Sequence, residues 1–255
     1  VNNEEQTVSS QISSISTEQT NTEPIVSNTA EEEEEMRAVW VPFMSLTMSS
    51  ESDKSEAAFQ KKFDEIVKTS KEKGMNTLIV QVRPFGDAFY RSSLFPWSHL
   101  LTGTQGQDPG YDPLEYMVKA AHENGLEIHA WVNPLRIQLN TNPGELAENN
   151  PYTQWSQDES KKRWVVEYES GKYFNPAYTE VRKYIADGVK EIVQNYDVDG
   201  IQFDDYFYPT QDSVFDQAEY DAYKEEASQN GFPMELLEWR QANINAMVSQ
   251  VYAEV

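Results

Sequence analysis

The stretch Asp199-Gly-Ile-Gln-Phe-Asp-Asp-Tyr-Phe-Tyr-Pro209 places two carboxylates at the end of a predicted β-strand. Side chains alternate between the two faces of a strand, so Ile201 and Phe203 share one face while Asp204 lies on the other. The apolar pair predicts packing against helices. Asp204 is predicted to point inward, and Asp205 falls where the strand gives way to a loop. Acidic residues at a strand end also act as loop solubilisers or as caps of the next helix, which is the structural alternative.

Three further strands lie upstream, and helical patterns separate the four. These strands are predicted at residues 37–43, 77–83 and 126–133, and long loops are predicted at 84–111 and 134–177. The helices are indicated by apolar stripes at Phe59, Phe63, Ile66 and Val67, at Leu114, Met117, Val118 and Ala121, at Val181, Tyr184, Ile185, Val189 and Ile192, and at Ile244, Met247, Val248 and Val251. Strict alternation of strands and helices predicts a parallel sheet covered by helices.

Two features favour a barrel over a doubly wound sheet, the other fold that this alternation allows. No Gly-rich phosphate-binding turn follows the first strand. Polar residues gather at the C-terminal ends of the strands, where barrel enzymes keep their active sites. Only four strand-helix units are present, whereas a complete barrel has eight, and the last helix runs to Val255 without a Gly, Asn or Pro stop. We therefore predict that residues 36–255 form the N-terminal half of a TIM-type (β/α) barrel.

Residues 1–35 differ from the rest of the chain in composition. They are rich in Ser, Thr, Asn, Gln and Glu, contain no aromatic, glycine or basic residue, and end in five consecutive glutamates. This composition predicts a disordered tether. A start at Val1 rather than Met fits removal of a signal or lipoprotein segment. The expectation is an exported protein that is extracellular, in the cell envelope or lipid-anchored.

The charge of the chain limits its partners. The formal net charge is -23, from 20 Lys and Arg against 43 Asp and Glu. Nine of the acids lie in residues 1–35, which leaves -14 for the body. Such acidity disfavours nucleic acid and anionic membrane surfaces as partners. No apolar run reaches the roughly 20 residues of a membrane span, so no transmembrane segment is expected.

Metal and cofactor chemistry finds little support in the sequence. The chain has no cysteine and three histidines without a paired-His motif, which disfavours a zinc site. A hard cation held by Asp204 and Asp205 is an alternative. No Gly-rich phosphate loop and no Gly-x-Ser-x-Gly elbow occurs, which disfavours kinases, ATPases and triad hydrolases. No cofactor is expected.

The predicted substrate site gathers polar and aromatic residues at the strand ends. Arg83 is predicted to face the barrel mouth, where a guanidinium orients a carboxylate or a sugar hydroxyl, and an ion pair with Asp87 is the structural alternative. The amide of Asn133 ends the third strand and can donate to a ligand. His129 lies two residues deeper, which favours a hydrogen-bonded core histidine. The residues predicted to line the site are Arg83, Asp87, Asn133, Arg136, Tyr206, His129 and Trp131.

Paired carboxylates with flanking Arg, Asn and aromatic side chains are typical of glycoside hydrolysis. In that reaction one carboxyl protonates the leaving oxygen and another attacks or activates water. The sequence suggests a glycoside hydrolase with Asp204 as nucleophile or base and Asp205 as its partner or as a substrate ligand. A non-catalytic barrel that binds glycan is the main alternative, and an inactive truncated fragment is the third. The edge strands of a half barrel would be exposed and would invite self-association.

Several ordered segments carry a family resemblance. They are Val80-Gln-Val-Arg-Pro-Phe-Gly-Asp-Ala-Phe-Tyr-Arg-Ser-Ser93, Pro96-Trp-Ser98, Leu101-Thr-Gly103, Pro109-Gly-Tyr-Asp-Pro-Leu114, Gly125-Leu-Glu-Ile-His-Ala-Trp-Val-Asn-Pro-Leu-Arg136 and Phe203-Asp-Asp-Tyr-Phe-Tyr-Pro209. With them, residues 36–255 resemble the bacterial glycosyl hydrolase-like family 10. The resemblance implies a barrel that continues beyond this point and an exported or lipoprotein glycosidase. It also implies a substrate in the bacterial cell wall, such as peptidoglycan glycan, or a related polysaccharide.

A wider likeness concerns Asp199-Gly-Ile-Gln-Phe-Asp204, which is similar to the fourth-strand motif Asp-Gly-Phe-Arg-Leu-Asp of the alpha-amylase clan. The last Asp of that motif is the nucleophile, so the likeness implies this role for Asp204. Gln202 stands where the motif has Arg, and the general acid of the clan lies on a fifth strand. Family 18 chitinases have a similar strand, but their acid would fall on Tyr206, which counts against their substrate-assisted mechanism.

Overall fold

The computed structural model describes residues 35–255, so the tether predicted for residues 1–35 lies outside the described residues except for its last residue. The strands in the described part are β1 (Ala38–Val41), β2 (Thr77–Arg83), β3 (Glu127–Val132), β4 (Arg136–Leu139), β5 (Val165–Tyr168), β6 (Gly171–Phe174) and β7 (Gly200–Phe203). Its helices are α1 (Phe43–Leu46), α2 (Glu56–Glu72), α3 (His99–Thr102), α4 (Pro113–Glu123), α5 (Pro151–Trp155), α6 (Thr179–Asn195), α7 (Gln217–Asn230) and α8 (Leu236–Glu254).

The four predicted strands form one parallel sheet, which confirms the predicted alternation. The order of the sheet is β1-β2-β3-β7. Val80 lies opposite Val41 on one side and opposite Ala130 on the other, and Ala130 lies opposite Ile201. Because the strands are parallel, their C-terminal ends meet at one edge of the sheet. The sheet does not close into a barrel within residues 35–255, where β1 and β7 are its outer strands.

A helical layer covers one face of this sheet. Leu78, Val80 and Val82 of β2 are fully buried beneath it. Most of the apolar stripe predicted for each helix is buried as well: the buried residues include Phe59, Phe63 and Val67 of α2, Leu114, Met117 and Ala121 of α4, Val181, Ile185, Val189 and Ile192 of α6, and Ile244, Met247 and Val251 of α8. Of the other predicted stripe residues, Ile66 and Tyr184 are half-buried and Val248 is exposed. Helix α8 packs along α6. Burial of these stripes is the main favourable contribution to the stability of the layer.

Helix boundaries follow signals that are visible in the sequence. Ser55 caps α2 by accepting a hydrogen bond from the backbone N–H of Ala58. Asp112 caps α4 in the same way, with Pro113 at the first helical position. Gly125 follows the end of α4 with a φ of 68°, the left-handed conformation that glycine adopts without strain. These caps satisfy N–H groups that a helix start leaves unpaired, and they fix where each helix begins.

The segment 134–177, which was predicted to be a loop, contains a second sheet. Strands β4, β6 and β5 pair antiparallel in that order. Each of them has four residues, which is too short for a period-two pattern to stand out. The turn between β5 and β6 has Glu169 at a φ of 49°, a conformation that Gly or Asn usually supplies in hairpins. The loop prediction was wrong because neither the strands nor the turn carries its usual sequence signal.

A β-bulge at the end of β2 decides the face on which Arg83 lies. Gln81 pairs with Trp131, but the following pair is Arg83 with Val132, so Val82 is the extra residue. Val132 points into the helical layer, where it is fully buried. Arg83 therefore points into that layer too, and the prediction that it faces the barrel mouth was wrong. Simple alternation along the strand does not reveal a bulge.

The side chain of Arg83 fills a space left by a glycine of α6. Arg83 is 2% exposed, and its guanidinium carbon lies 4.2 Å from the centroid of the Phe95 ring. A Cβ atom built on Gly188 would lie 2.5 Å from Nη1 of Arg83. No ion pair between Arg83 and Asp87 forms within the described residues. The side chain of Arg83 thus packs between the sheet and α6, on the face of the sheet that the helices cover.

Asp87, which was predicted at the substrate site, lies instead in a buried cluster between two loops. Its Oδ2 atom is 2.9 Å from Nδ1 of His99 and accepts a hydrogen bond of 3.0 Å from Nε2 of Gln105. The other ring nitrogen of His99 faces the side-chain oxygen of Asn142. Burial lowers the pKa of His99, but the hydrogen bond and charge of Asp87 outweigh it and leave the pKa raised above its ordinary value. The cluster joins the loop after β2 to the loop after β4.

We expect Gly188→Ala to destabilise the protein. Alanine normally stabilises a helix interior by up to about 1 kcal/mol relative to glycine. At this position the added methyl group would overlap the buried Arg83 and Phe95 side chains, and overpacking of this kind costs about 1–3 kcal/mol. Chemical unfolding should show a net loss of stability. The exposed Gln194→Ala change in the same helix is the control, and an equal or greater stability of Gly188→Ala would contradict the packing described.

The Asp87–His99 contact should make stability depend on pH. Because the pKa of His99 is raised in the folded state, its stabilisation is fully present below the unfolded pKa of about 6.5 and is lost as pH rises through the folded value. The free energy of unfolding of the wild type minus that of His99→Gln should therefore be larger at about pH 5.5 than at about pH 8.5. A difference that stays flat or grows with pH would show that the contact does not favour the charged imidazole.

Candidate functional site

A chain of hydrogen bonds runs across the C-terminal edge of the parallel sheet. The backbone N–H of Phe43, which follows β1, donates to Oε1 of Gln81 at 3.0 Å. Nε2 of Gln81 donates to Oδ1 of Asn133 at 2.7 Å, and Nδ2 of Asn133 donates to the carbonyl of Asp204 at 3.2 Å. Gln81 and Asn133 are 3% and 1% exposed. We call Phe43 N–H, Gln81, Asn133 and Asp204 the amide relay, and it joins the ends of all four strands.

The two carboxylates at the end of β7 have different surroundings. The backbone N–H of Asp204 continues the ladder by donating to the carbonyl of Val132. Asp205 has a φ of 49°, a left-handed conformation that is uncommon for a residue other than glycine. Its backbone N–H donates to Oδ1 of Asp204 at 2.9 Å, and its side chain forms an ion pair with Arg136. Asp205 is therefore engaged in an ion pair, whereas the described residues form none with Asp204.

A cavity of about 200 Å³ adjoins this ion pair. Its walls combine the charged pair with one phenol and several apolar side chains, namely Leu135, Arg136, Leu139, Tyr173, Asp205, Phe207 and Pro209. Burial lowers the pKa of Arg136, while the nearby Tyr173 and Asp204 act in the opposite direction. Burial also raises the pKa of Tyr173. The cavity therefore offers hydrogen-bonding groups and apolar surface side by side, a combination that suits a sugar ring.

A buried arginine of α8 holds the loop that walls this cavity. Arg240 donates to the carboxylate of Asp216 and to the backbone carbonyls of Thr210 and Asp212. Its guanidinium carbon also lies 4.9 Å from the centroid of the Tyr208 ring. The loop that begins at the end of β7 is thus fixed at its far end by contacts with all three nitrogens of one guanidinium. Sequence analysis missed this residue, although it lies four residues before Ile244 on the buried stripe of α8, because a charged side chain is not expected at a core position.

The predicted site residues fall into two groups. Asn133, Arg136, Asp204 and Asp205 come together at the edge of the sheet, whereas Arg83 points into the helical layer and Asp87 is bonded within its buried cluster, as described above. Within the first group, Asn133 differs from the expected free ligand, because both ends of its amide are bonded within the protein.

The remaining predicted site residues lie on the inner face of the sheet or next to it. The ring of His129 packs against Gly200 below the strand ends. Trp131 packs edge to face on Trp40, with ring centroids 4.8 Å apart. Tyr206 is exposed beside an apolar groove between β7 and α8. Gln81, which faces the same side as Trp131, was not among the predicted site residues, although its inward position in the alternating pattern was a usable signal.

No group of three or more His, Cys, Asp or Glu side chains within residues 35–255 is arranged to hold a metal ion. No helix in this part of the chain is long and apolar enough to cross a membrane.

Two curated bacterial proteins are similar to most of this chain. The Glycosyl hydrolase YngK of Bacillus subtilis (strain 168) is 37% identical over 233 residues, which cover 89% of this chain and 43% of that protein. The Glycosyl hydrolase DigH of Escherichia coli (strain K12) is 33% identical over 223 residues, which cover 84% of this chain and 48% of that protein. The chain thus spans less than half the length of either relative.

A solved structure shares the fold at low sequence identity. The alpha-L-fucosidase isoenzyme 2 from Paenibacillus thiaminolyticus matches with a TM-score of 0.54 and 16% identity, over 86% of this chain and 30% of that one. At this identity the match establishes a common fold and nothing finer.

The family is shown by a match along nearly all of the described chain. The family model Glycosyl hydrolase-like 10 matches residues 35–255. This match confirms the resemblance inferred from the ordered segments of the sequence, and the two relatives above agree with it. The chain belongs to the glycosyl hydrolase-like 10 family.

Proposed function

We propose that this chain is part of a glycoside hydrolase that acts on bacterial cell-wall glycan, such as peptidoglycan glycan, or on a related polysaccharide. The observation that carries the proposal is the carboxylate of Asp204 at a strand end, beside the Arg136–Asp205 pair and its cavity. Both curated relatives are named glycosyl hydrolases, which supports the reaction class.

The surroundings of the two carboxylates suggest separate roles. Asp204, without an ion-pair partner in the described residues, is assigned as nucleophile or base. Asp205 is assigned to hold Arg136, because a carboxylate paired with a guanidinium is better suited to positioning than to giving up a proton. The second carboxyl that glycoside hydrolysis needs therefore comes from another part of the protein. Arg136 and Tyr173 are assigned to sugar hydroxyls, and Phe207 to the apolar face of a ring.

We also propose that the parallel sheet is the N-terminal half of a (β/α) barrel. Each of its two outer strands has only one neighbouring strand in the described residues, and each borders an apolar groove. The groove beside β7 is lined by Ile201, Phe203, Tyr206, Val248, Val251, Tyr252 and Val255, and the groove beside β1 includes Val39, Trp40, Val41 and Ile66. The matched region covers less than half of each relative, so both relatives have enough additional chain to supply further strands.

The exported location remains part of the proposal. A cell-wall substrate lies outside the cytoplasm, and the composition of residues 1–35 is that of a polar tether. Such a segment suits a protein that is extracellular, in the cell envelope or lipid-anchored.

Asp204→Asn should abolish glycan hydrolysis and spare glycan binding. The change removes the charge that attacks or activates water, so turnover should fall by about 10³-fold or more. This variant and its control should be made in the full gene product that contains this sequence. The substrate is cell-wall glycan, and the measurement is mass spectrometry of the released oligosaccharides. The control is Asp197→Asn, at a side chain that is 96% exposed near the opposite end of the strand. Binding without any turnover by the wild type would favour a glycan-binding protein instead.

The 255-residue chain should self-associate when it is produced alone. Exposed strand edges and apolar grooves favour pairing between molecules. Light scattering after size exclusion should report dimers or larger species, and Val248→Lys, which places a charge in the groove beside β7, should shift them toward monomer. Gln241→Lys adds the same charge at another exposed position of α8 and should have little effect. A monodisperse monomer with a cooperative melting transition would contradict the prediction.

A further inference from the structure

The direction of every hydrogen bond in the amide relay is set by its first member. A backbone N–H such as that of Phe43 is only a donor, so the atom of Gln81 that faces it must be the oxygen. The nitrogen of Gln81 is then directed at Asn133, whose oxygen must accept. The nitrogen of Asn133 consequently faces Asp204 and Asp205. One backbone group after β1 thus fixes which end of an amide is presented at the end of β7.

The last link of the relay acts on the backbone carbonyl of Asp204 and on the carboxylate of Asp205. Nδ2 of Asn133 is 3.2 Å from the carbonyl oxygen of Asp204 and 3.5 Å from Oδ2 of Asp205, the oxygen that pairs with Arg136. Both of these oxygens accept, and both lie next to the left-handed residue at which the chain leaves the strand. An amide nitrogen at this place attracts both oxygens, whereas an amide oxygen would repel them.

We propose that Gln81 is a positioning residue that aims the Asp204 and Asp205 carboxylates by fixing the orientation of the Asn133 amide. The catalytic part of this inference rests on the proposed function. The structural part does not, because the hydrogen bonds are observed independently of any activity. Gln81 touches neither carboxylate directly and acts through Asn133 alone.

Replacing Gln81 by glutamate tests the direction of the relay with almost no change in shape. The introduced carboxylate still accepts from Phe43 N–H, but it presents an oxygen where the nitrogen was. The amide of Asn133 then has to turn and donate to it, which leaves an oxygen facing Asp204 and Asp205. In an Asp205→Asn background that oxygen meets an amide nitrogen, so part of the loss should be recovered. The prediction is therefore a coupling between position 81 in β2 and position 205 just after β7, two strands that are not adjacent in the sheet.

The experiment is a double-mutant cycle of melting temperatures on the full gene product. It combines Gln81→Glu with Asp205→Asn and uses Gln105→Glu with Asp205→Asn as the matched control, because Gln105 is equally buried and bonds Asp87 outside the relay. We expect Gln81→Glu to lower the melting temperature in both backgrounds, but the decrease should be several degrees smaller in Asp205→Asn than in the wild type. Gln105→Glu should lower the melting temperature equally in both backgrounds. If Gln81→Glu does not fold, Gln81→Met is cycled instead with the same expectation of coupling. Additive shifts for position 81 would overturn the proposal.

Turnover separates positioning from stability. At a temperature where the variant is folded, Gln81→Glu should lose about 100-fold in turnover on cell-wall glycan with little change in KM, as expected for a misplaced reacting group. Unchanged turnover per folded molecule would overturn the positioning role. If the wild type hydrolyses no glycan, the proposed function fails, while the cycle still decides whether Gln81 sets the orientation at Asp205.

Discussion

Hydrogen bonds between buried amides are the constraint on which the C-terminal edge of the parallel sheet depends. A buried amide that lacks a partner costs about 1–3 kcal/mol, so Gln81 and Asn133 tolerate only arrangements in which each satisfies the other. That requirement fixes the depth of β2 relative to β3, since a shift of one residue would leave both amides unpaired among apolar side chains. Apolar packing against α2, α4 and α6 holds the sheet together, but packing alone is compatible with small sliding. The amide relay fixes the register of the strands. It therefore also fixes the position of the end of β7, where the two carboxylates lie.

The arginines of the chain show how one residue type serves three purposes through its surroundings. Arg83 joins sheet to helix by stacking on Phe95. Arg240 organises a loop by binding Asp216 and backbone carbonyls. Arg136 alone reaches the cavity, paired with Asp205. In each case the partner decides the role: an aromatic face gives packing, carbonyl groups give loop structure, and a partly exposed carboxylate leaves donors for a ligand.

The sequence was sufficient for the parts of the fold that are governed by periodicity. All four strands of the parallel sheet and the helices that carry apolar stripes follow from spacing, and Asp204, Asp205, Asn133 and Arg136 were correctly placed at one edge. The rest depends on interactions between residues far apart in the chain. The bulge at Val82 is a property of pairing with β3, the short strands β4 to β6 are stabilised by each other, and Asn142 joins the Asp87–His99 pair only when the loop after β2 meets the loop after β4. None of these leaves a mark in a window of neighbouring residues.

The bulge in β2 also changes what an aligned residue means. The extra residue moves everything after Gln81 by one place relative to β3, so the arginine that follows lies on the helical side. Consider a related protein in which the second strand has no bulge after the same glutamine. An arginine two residues after that glutamine would then point to the opposite face of the sheet. The two arginines would then be identical in a sequence alignment but would contact different neighbouring residues. Strand length, and not residue identity alone, tells an evolutionary comparison whether the two arginines are structurally equivalent.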